Sequence, residues 1–297
     1  MPKKILVITT GGTIACTKTE QGLTPAFDGN ELIQGTDGCV TDILDLFSVD
    51  STDITPSHWI ALCREVKKAV GYDGVVVLHG TDTLEYTAAM LAYTCADLGK
   101  PIIITGSMLP MADENSDGKR NIGDALRLAC DGRLKGVFAV FCGRIIAGHD
   151  AVKRHSFCPD AFASFSGNEI GFINENGITV SREITPPPQY PIPEDDGRKV
   201  AVIKLSPFME EIAIPEGYIG AVVESYGAGG VPERLAASLK KLCERMPVIM
   251  TTSCNGGADL KTYAVGQRAL SCGVYDGREM STACAAVRLF LMSGNNL

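Results

Sequence analysis

Four short apolar runs constrain the fold of this chain more than any other feature. They are ILVIT (Ile5 to Thr9), VVVLH (Val75 to His79), IIIT (Ile102 to Thr105) and VFAVF (Val137 to Phe141). Each has the length of a strand and is rich in β-branched residues, and none alternates apolar with polar positions. A strand without alternation is buried on both faces. Between these runs Trp59 to Val70, Thr83 to Leu98 and Arg120 to Cys130 carry helical patterns. Fully buried strands separated by helices predict an α/β fold, a parallel sheet with helices on both faces.

The pattern breaks in TPPPQYPIPEDDG, where proline removes N–H donors and fixes φ, so that neither a central strand nor a helix interior can form. It resumes with VAVIKL (Val200 to Leu205), AVVES (Ala221 to Ser225), a helix over Pro232 to Arg245, the strand VIMTTS (Val248 to Ser253) and two closing helices. The expected organisation is a larger N-terminal domain over residues 1–182, a proline-rich linker over 183–199 and a smaller C-terminal α/β domain over 200–297.

Composition narrows the function classes. The net charge is -8 and the basic residues form no run, so a nucleic-acid partner is not expected. No stretch is long and apolar enough to span a membrane, and the N-terminal apolar run, broken by Thr9, Thr10, Gly11 and Gly12, reads as a first strand rather than a leader. The 11 cysteines are scattered, several inside apolar runs, with no CxxC pair. They predict reduced thiols in a cytoplasmic protein and no zinc site. Asp113, Asn115, Asp117 and Gly118 follow the opening of an EF-hand loop, but its twelfth position is Asp124 instead of a bidentate glutamate, and Arg120 takes a place that is usually apolar. An acidic loop leading into a helix accounts for that segment. With no HExxH, P-loop, GxSxG or GxGxxG, no metal or cofactor is expected.

In open parallel sheets ligands bind beyond the carboxyl ends of the strands. Three such ends carry chemistry: TTGGTIA (Thr9 to Ala15), HGTDTLEYT (His79 to Thr87) and GRIIAGHDAVK (Gly143 to Lys153). The glycines of the first let backbone approach a ligand, with Thr13 presenting a hydroxyl or capping a helix. In the second, Thr81 and Asp82 can attack, orient water and hold an ammonium, while Asp82 or Thr83 can equally cap the following helix, with Glu85 in its first turn. Lys153 gains meaning only beside Thr81, where an ammonium can lower a hydroxyl's pKa or relay a proton. His79 is placed to close a strand rather than to act as a base.

Taken together, TTGGTIA and HGTDTLEYTA resemble the paired threonine signatures of the L-asparaginases, in particular the bacterial cytoplasmic type I group. VDSTD (Val49 to Asp53), ITGSMLP (Ile104 to Pro110), the lysine of GHDAVKR and ESYGAGGVP (Glu224 to Pro232) follow in the family's order, so the resemblance covers nearly the whole chain. It implies that Thr13 is the nucleophile and that Ser51 and Thr52 hold the substrate's α-carboxylate. Thr81 becomes the second threonine, Asp82 the partner of the α-ammonium and Lys153 the lysine grouped with them. It further implies hydrolysis of free L-asparagine to L-aspartate and ammonia, and a homodimer or dimer of dimers whose sites are completed by the partner's C-terminal domain. Leu23 stands where many relatives place a tyrosine that assists the nucleophile, and GAGGVP lacks an asparagine found in several of them.

Two alternatives share the fold. A glutaminase–asparaginase would accept a side chain one methylene longer, a difference worth only about 1–3 kcal/mol in a pocket. A non-catalytic amino-acid sensor would not need two threonines and a lysine. The amidase component of an archaeal tRNA amidotransferase also uses this scaffold, and the acidic balance of the chain speaks against it.

Overall fold

The computed structural model describes residues 2–12, 14, 16–19, 22–25, 33 and 39–292. Contacts divide the chain into a larger unit, Met1–Ser164 with Asn168–Ile192, and a smaller one, Phe165–Gly167 with Pro193–Leu297.

The strands of the larger unit are β1 (Lys3–Thr9), β2 (Cys16–Thr19), β3 (Gly22–Pro25), β4 (Cys39–Asp45), β5 (Gly74–Leu78), β6 (Pro101–Thr105), β7 (Gly136–Phe141), β8 (Arg144–Ala147), β9 (Ala151–Lys153), β10 (Phe162–Ser164), β11 (Gly171–Asn174) and β12 (Gly177–Val180). Its helices are α1 (Pro56–Lys68), α2 (Leu84–Cys95) and α3 (Gly118–Asp131). Among the described residues the main sheet has eight strands in the order β12-β11-β8-β7-β6-β5-β1-β4. β4, β1, β5, β6 and β7 run parallel, as the apolar runs predict for all but β4.

The sheet is nevertheless mixed, because β7, β8, β11 and β12 pair antiparallel. β7 and β8 are separated only by Cys142 and Gly143, both at positive φ (49° and 77°), and a turn that tight can join only antiparallel strands. β4 was not legible as a buried strand. Its sequence, CVTDILD, carries two aspartates, which an edge strand can tolerate and a central one cannot.

β1, β5, β6 and β7 are apolar on both sides because both sides are covered. Ile5, Val7, Val76, Leu78, Ile103, Phe138 and Val140 pack on α3 through Ile122, Ala125, Leu126 and Leu128. The intervening residues Ile8, Val75, Val77, Ile102 and Ile104 are equally buried on the other face, where α2 packs on β6 and β7. Residues 181–199 contain no helix or strand. Gln189 and Tyr190 are nonetheless tied to α2, the amide of Gln189 donating to the Ala92 carbonyl at 2.9 Å and the Tyr190 N–H to that of Tyr93 at 2.8 Å. These bonds explain why the larger unit extends to Ile192.

The smaller unit holds a parallel sheet in sequential order, β13 (Val200–Lys204), β14 (Gly220–Ser225), β15 (Val248–Thr252) and β16 (Tyr275–Asp276). Its helices are α4 (Glu233–Arg245), α5 (Ala264–Ser271) and α6 (Thr282–Leu291). Leu235, Leu239 and Leu242 of α4 form its core with Val223, Val248 and Met250. Among the described residues no helix is long and apolar enough to cross a membrane.

Candidate active site

The strand order places one site. β1 lies between β4 and β5, so the chain leaves β1 toward one side of the sheet and returns on the other. Neighbouring strands whose connections part in this way leave a crevice at their carboxyl ends. TTGG follows β1 and HGTD follows β5, so both signatures open into that crevice.

Glycine is required where the two loops cross. Gly12 has φ 85°, and a Cβ there would lie 2.3 Å from the Cα of Gly80. A Cβ on Gly80 would in turn lie 2.6 Å from the Ser51 hydroxyl. The Gly12 and Gly80 backbones are thus in contact and the Ser51 side chain packs on Gly80, so neither glycine has room for a Cβ. Thr13 itself lies outside the described residues, between Gly12 and the buried Ile14.

Ser51 and Thr52 begin a single turn of 3-10 helix, Ser51–Asp53, capped by Asp50, whose carboxylate accepts from the Thr52 N–H at 2.8 Å and from its hydroxyl at 2.7 Å. The Ser51 hydroxyl accepts from the Asp82 N–H at 3.2 Å, and the Ser51 carbonyl accepts from the Thr83 hydroxyl at 2.7 Å. Ser51 is buried, whereas Thr52 is exposed. The cap Asp50 and the tie through Thr83 escaped sequence reasoning. The Ser/Thr/Asp-rich spacing of VDSTD was their only signal.

Thr81, 6% exposed, lies at the wall of the crevice, and Asp82 reaches solvent with a side chain 55% exposed. Lys153 joins them. Its ammonium donates to the Thr81 hydroxyl oxygen at 2.8 Å and to the Asp82 carboxylate at 2.6 Å. The sequence places Lys153 at a third strand end of the sheet, but it stands on the separate hairpin of β9 and β10. The carboxylate of Glu85, in the first turn of α2, accepts the Lys153 N–H at 2.9 Å and holds that hairpin to the loop carrying Thr81. Glu85 was legible in sequence only as a helix-terminus charge, because its partner is 68 residues away. His79 is 1% exposed, and burial pushes its pKa down to about 4, so it remains neutral at ordinary pH.

A hydroxyl that accepts a hydrogen bond from an ammonium keeps its own proton free to give and ionises more readily than a free alcohol. The site therefore combines an activated hydroxyl, an exposed carboxylate and a capped turn within one small crevice. Among the described residues no three metal-ligating side chains cluster. In the EF-hand-like segment the carboxylate of Asp117, which precedes α3, accepts the backbone N–H groups of Met108 and Leu109 and so ties the loop to the helix start.

Known proteins share both the sequence pattern and the order of elements. Residues 4–186 match the model of the asparaginase N-terminal domain and residues 199–297 that of the glutaminase/asparaginase C-terminal domain. The chain is 36% identical to an L-asparaginase of Thermococcus kodakarensis, over 98% of its own length and 93% of the relative's. It is 30% identical to L-asparaginase 1 of Escherichia coli K12, over 99% of this chain and 93% of that protein. The crystal structure of L-asparaginase I from Vibrio cholerae superposes with a TM-score of 0.85 at 27% identity, over 100% of this chain and 94% of that one. Two adjoining family models together span almost the entire sequence, and the chain is a member of the asparaginase family.

Proposed function

We propose that this protein is an L-asparaginase that hydrolyses the side-chain amide of free L-asparagine to L-aspartate and ammonia without a metal or cofactor. One observation carries the proposal: Lys153, 72 residues from Thr81 and 71 from Asp82, joins both through two direct hydrogen bonds from its ammonium. Family membership and the relatives named L-asparaginase support the choice of substrate.

A small zwitterion needs an anion, a set of donors and a reactive centre held close together. Asp82 faces the α-ammonium. The Ser51 hydroxyl holds the α-carboxylate, and Thr52, whose N–H and hydroxyl already donate to Asp50, sets the turn beside it. The Thr13 hydroxyl attacks the side-chain amide carbon, and its oxygen–carbon bond forms as the carbonyl becomes an oxyanion. Collapse breaks the carbon–nitrogen bond, and the nitrogen leaves as ammonia with the proton taken from Thr13. Water, activated by Thr81 with Lys153, then adds to the ester, releasing aspartate and restoring the Thr13 hydroxyl.

Purified protein mixed with L-asparagine is expected to release ammonia, with undiminished rate in EDTA and a lower rate on L-glutamine. Loss of activity in EDTA and its return with a divalent ion would sink the cofactor-free mechanism, and equal rates on glutamine would favour the broader glutaminase–asparaginase.

A homodimer or dimer of dimers belongs to the same proposal. On the smaller unit Val202, Phe208, Tyr226, Tyr263, Val265 and Tyr275 are 40–91% exposed, side chains available to a subunit interface. A two-fold pair is the commonest way to cover such a surface. Sedimentation velocity at assay concentration is expected to give at least twice the 31.5 kDa chain mass. A fully active monomer would refute the assembly.

A further inference from the structure

We propose that His79 is a positioning residue for the reaction, locked in its Nδ1–H form by the Thr87 hydroxyl and, through it, by the Trp59 indole, so that it orients the Gly80–Thr81 peptide. The inference rests on the assignment of Thr81 to the chemistry.

The polarity of every link follows from what each group can donate. Nδ1 of His79 lies 2.6 Å from the Gly80 carbonyl oxygen, which can only accept, so Nδ1 bears a proton. The ring is 1% exposed and neutral, so it holds one proton and Nε2 is an acceptor. Thr87 Oγ1 stands 3.0 Å from Nε2 and must donate to it. A hydroxyl has one hydrogen, so Thr87 can only accept from its other neighbour, the Trp59 indole N–H at 3.0 Å. Indole nitrogen is always a donor, which satisfies the last link. Thr87 is 1% exposed, so water does not compete for these bonds.

The chain of bonds ends on the carbonyl of the peptide that contains the Thr81 N–H. That peptide is planar, so fixing its C=O fixes the N–H and the start of Thr81. The strand end is held from the other side as well. The His79 N–H donates to the Thr105 carbonyl at 2.9 Å, and a Cβ on Gly106 would sit 2.2 Å from the His79 carbonyl oxygen. Trp59 is on α1, which follows the Ser51–Asp53 turn, so the same bonds tie the helix behind the carboxylate pocket to the second threonine. Lys153 thus holds the side-chain oxygen of Thr81 while His79 holds its backbone.

Nitrogen-15 NMR of histidine-labelled wild-type protein at neutral pH tests the first link, with His79→Gln identifying the signal. A protonated Nδ1 beside an unprotonated Nε2 is expected, and a protonated Nε2 overturns the proposal. Thr87→Val keeps the shape and removes the hydroxyl. It is expected to lower kcat about ten- to a hundredfold, the scale of a small misplacement of a reacting group, with a smaller change in KM. Trp59 is the only tryptophan, so its emission is expected to shift in the same variant. Thr87→Ser is expected to restore both. Wild-type kcat in Thr87→Val, or equal loss in Thr87→Ser, overturns the role of the hydroxyl. Should Thr87→Val fail to fold, the wild-type tautomer still decides. A wild-type protein that releases no ammonia from asparagine would sink the proposed activity and leave the tautomer measurement standing, so the two failures are distinguishable.

Discussion

Thr13→Ala is expected to release ammonia from L-asparagine at least about 10³-fold more slowly than the wild type, because removal of a nucleophile leaves only binding and the polarised site. The expectation comes from position as well as family. Gly12 is pressed against Gly80, Gly80 also lies against the Ser51 side chain, and Thr13 is the next residue in sequence after Gly12. The loss should fall on kcat, with L-aspartate still bound in calorimetry, since Ser51, Asp82 and Lys153 are untouched. Circular dichroism and melting temperature should match the wild type. A Thr13→Ala enzyme with near-normal kcat would show that another group attacks the amide.

Thr81→Val is expected to lower kcat by about 10²–10⁴, the range of a lost general acid–base partner. Valine keeps the outline of a side chain 6% exposed but loses the hydroxyl, so the fold should survive at a stability cost of about 1 kcal/mol. What disappears is the acceptor 2.8 Å from the Lys153 ammonium, which keeps its 2.6 Å contact with Asp82. The variant also separates two routes. If an ester on Thr13 forms and water attacks it with help from Thr81, Thr81→Val should accumulate that ester, detectable by mass spectrometry after acid quench. If water attacks the amide directly, no adduct will form although turnover is slow. Wild-type turnover in Thr81→Val would remove Thr81 from the chemistry altogether.

The fold was legible wherever local pattern and global burial agree. Runs such as VVVL and III have no polar position to expose, so they had to be covered on both faces, and they are. The pattern was silent where burial is partial. CVTDILD looks like a poor strand and becomes one because β1 offers it a complete parallel ladder, Lys3 to Thr9 against Cys39 to Asp45. Direction was equally hidden in the second half of the sheet, where a two-residue turn, Cys142 and Gly143, turned a parallel expectation into antiparallel pairing.

The sequence alone determined the composition of the candidate site: which hydroxyls, which carboxylate and which lysine the chain has available, and their place at the ends of apolar strands. Those are local facts, carried by the chemistry of each residue and by its neighbours. Only the tertiary structure decided that Ser51, Thr81, Asp82 and Lys153 meet. The strand order put β1 beside β5, and Glu85 carried a hairpin lysine back across 68 residues to Thr81. The protonation of His79 was likewise out of reach of sequence, because it follows from a carbonyl on one side and a hydroxyl on the other. A hydrogen bond is short and directional, so it depends on where two groups arrive in space, which sequence separation does not specify.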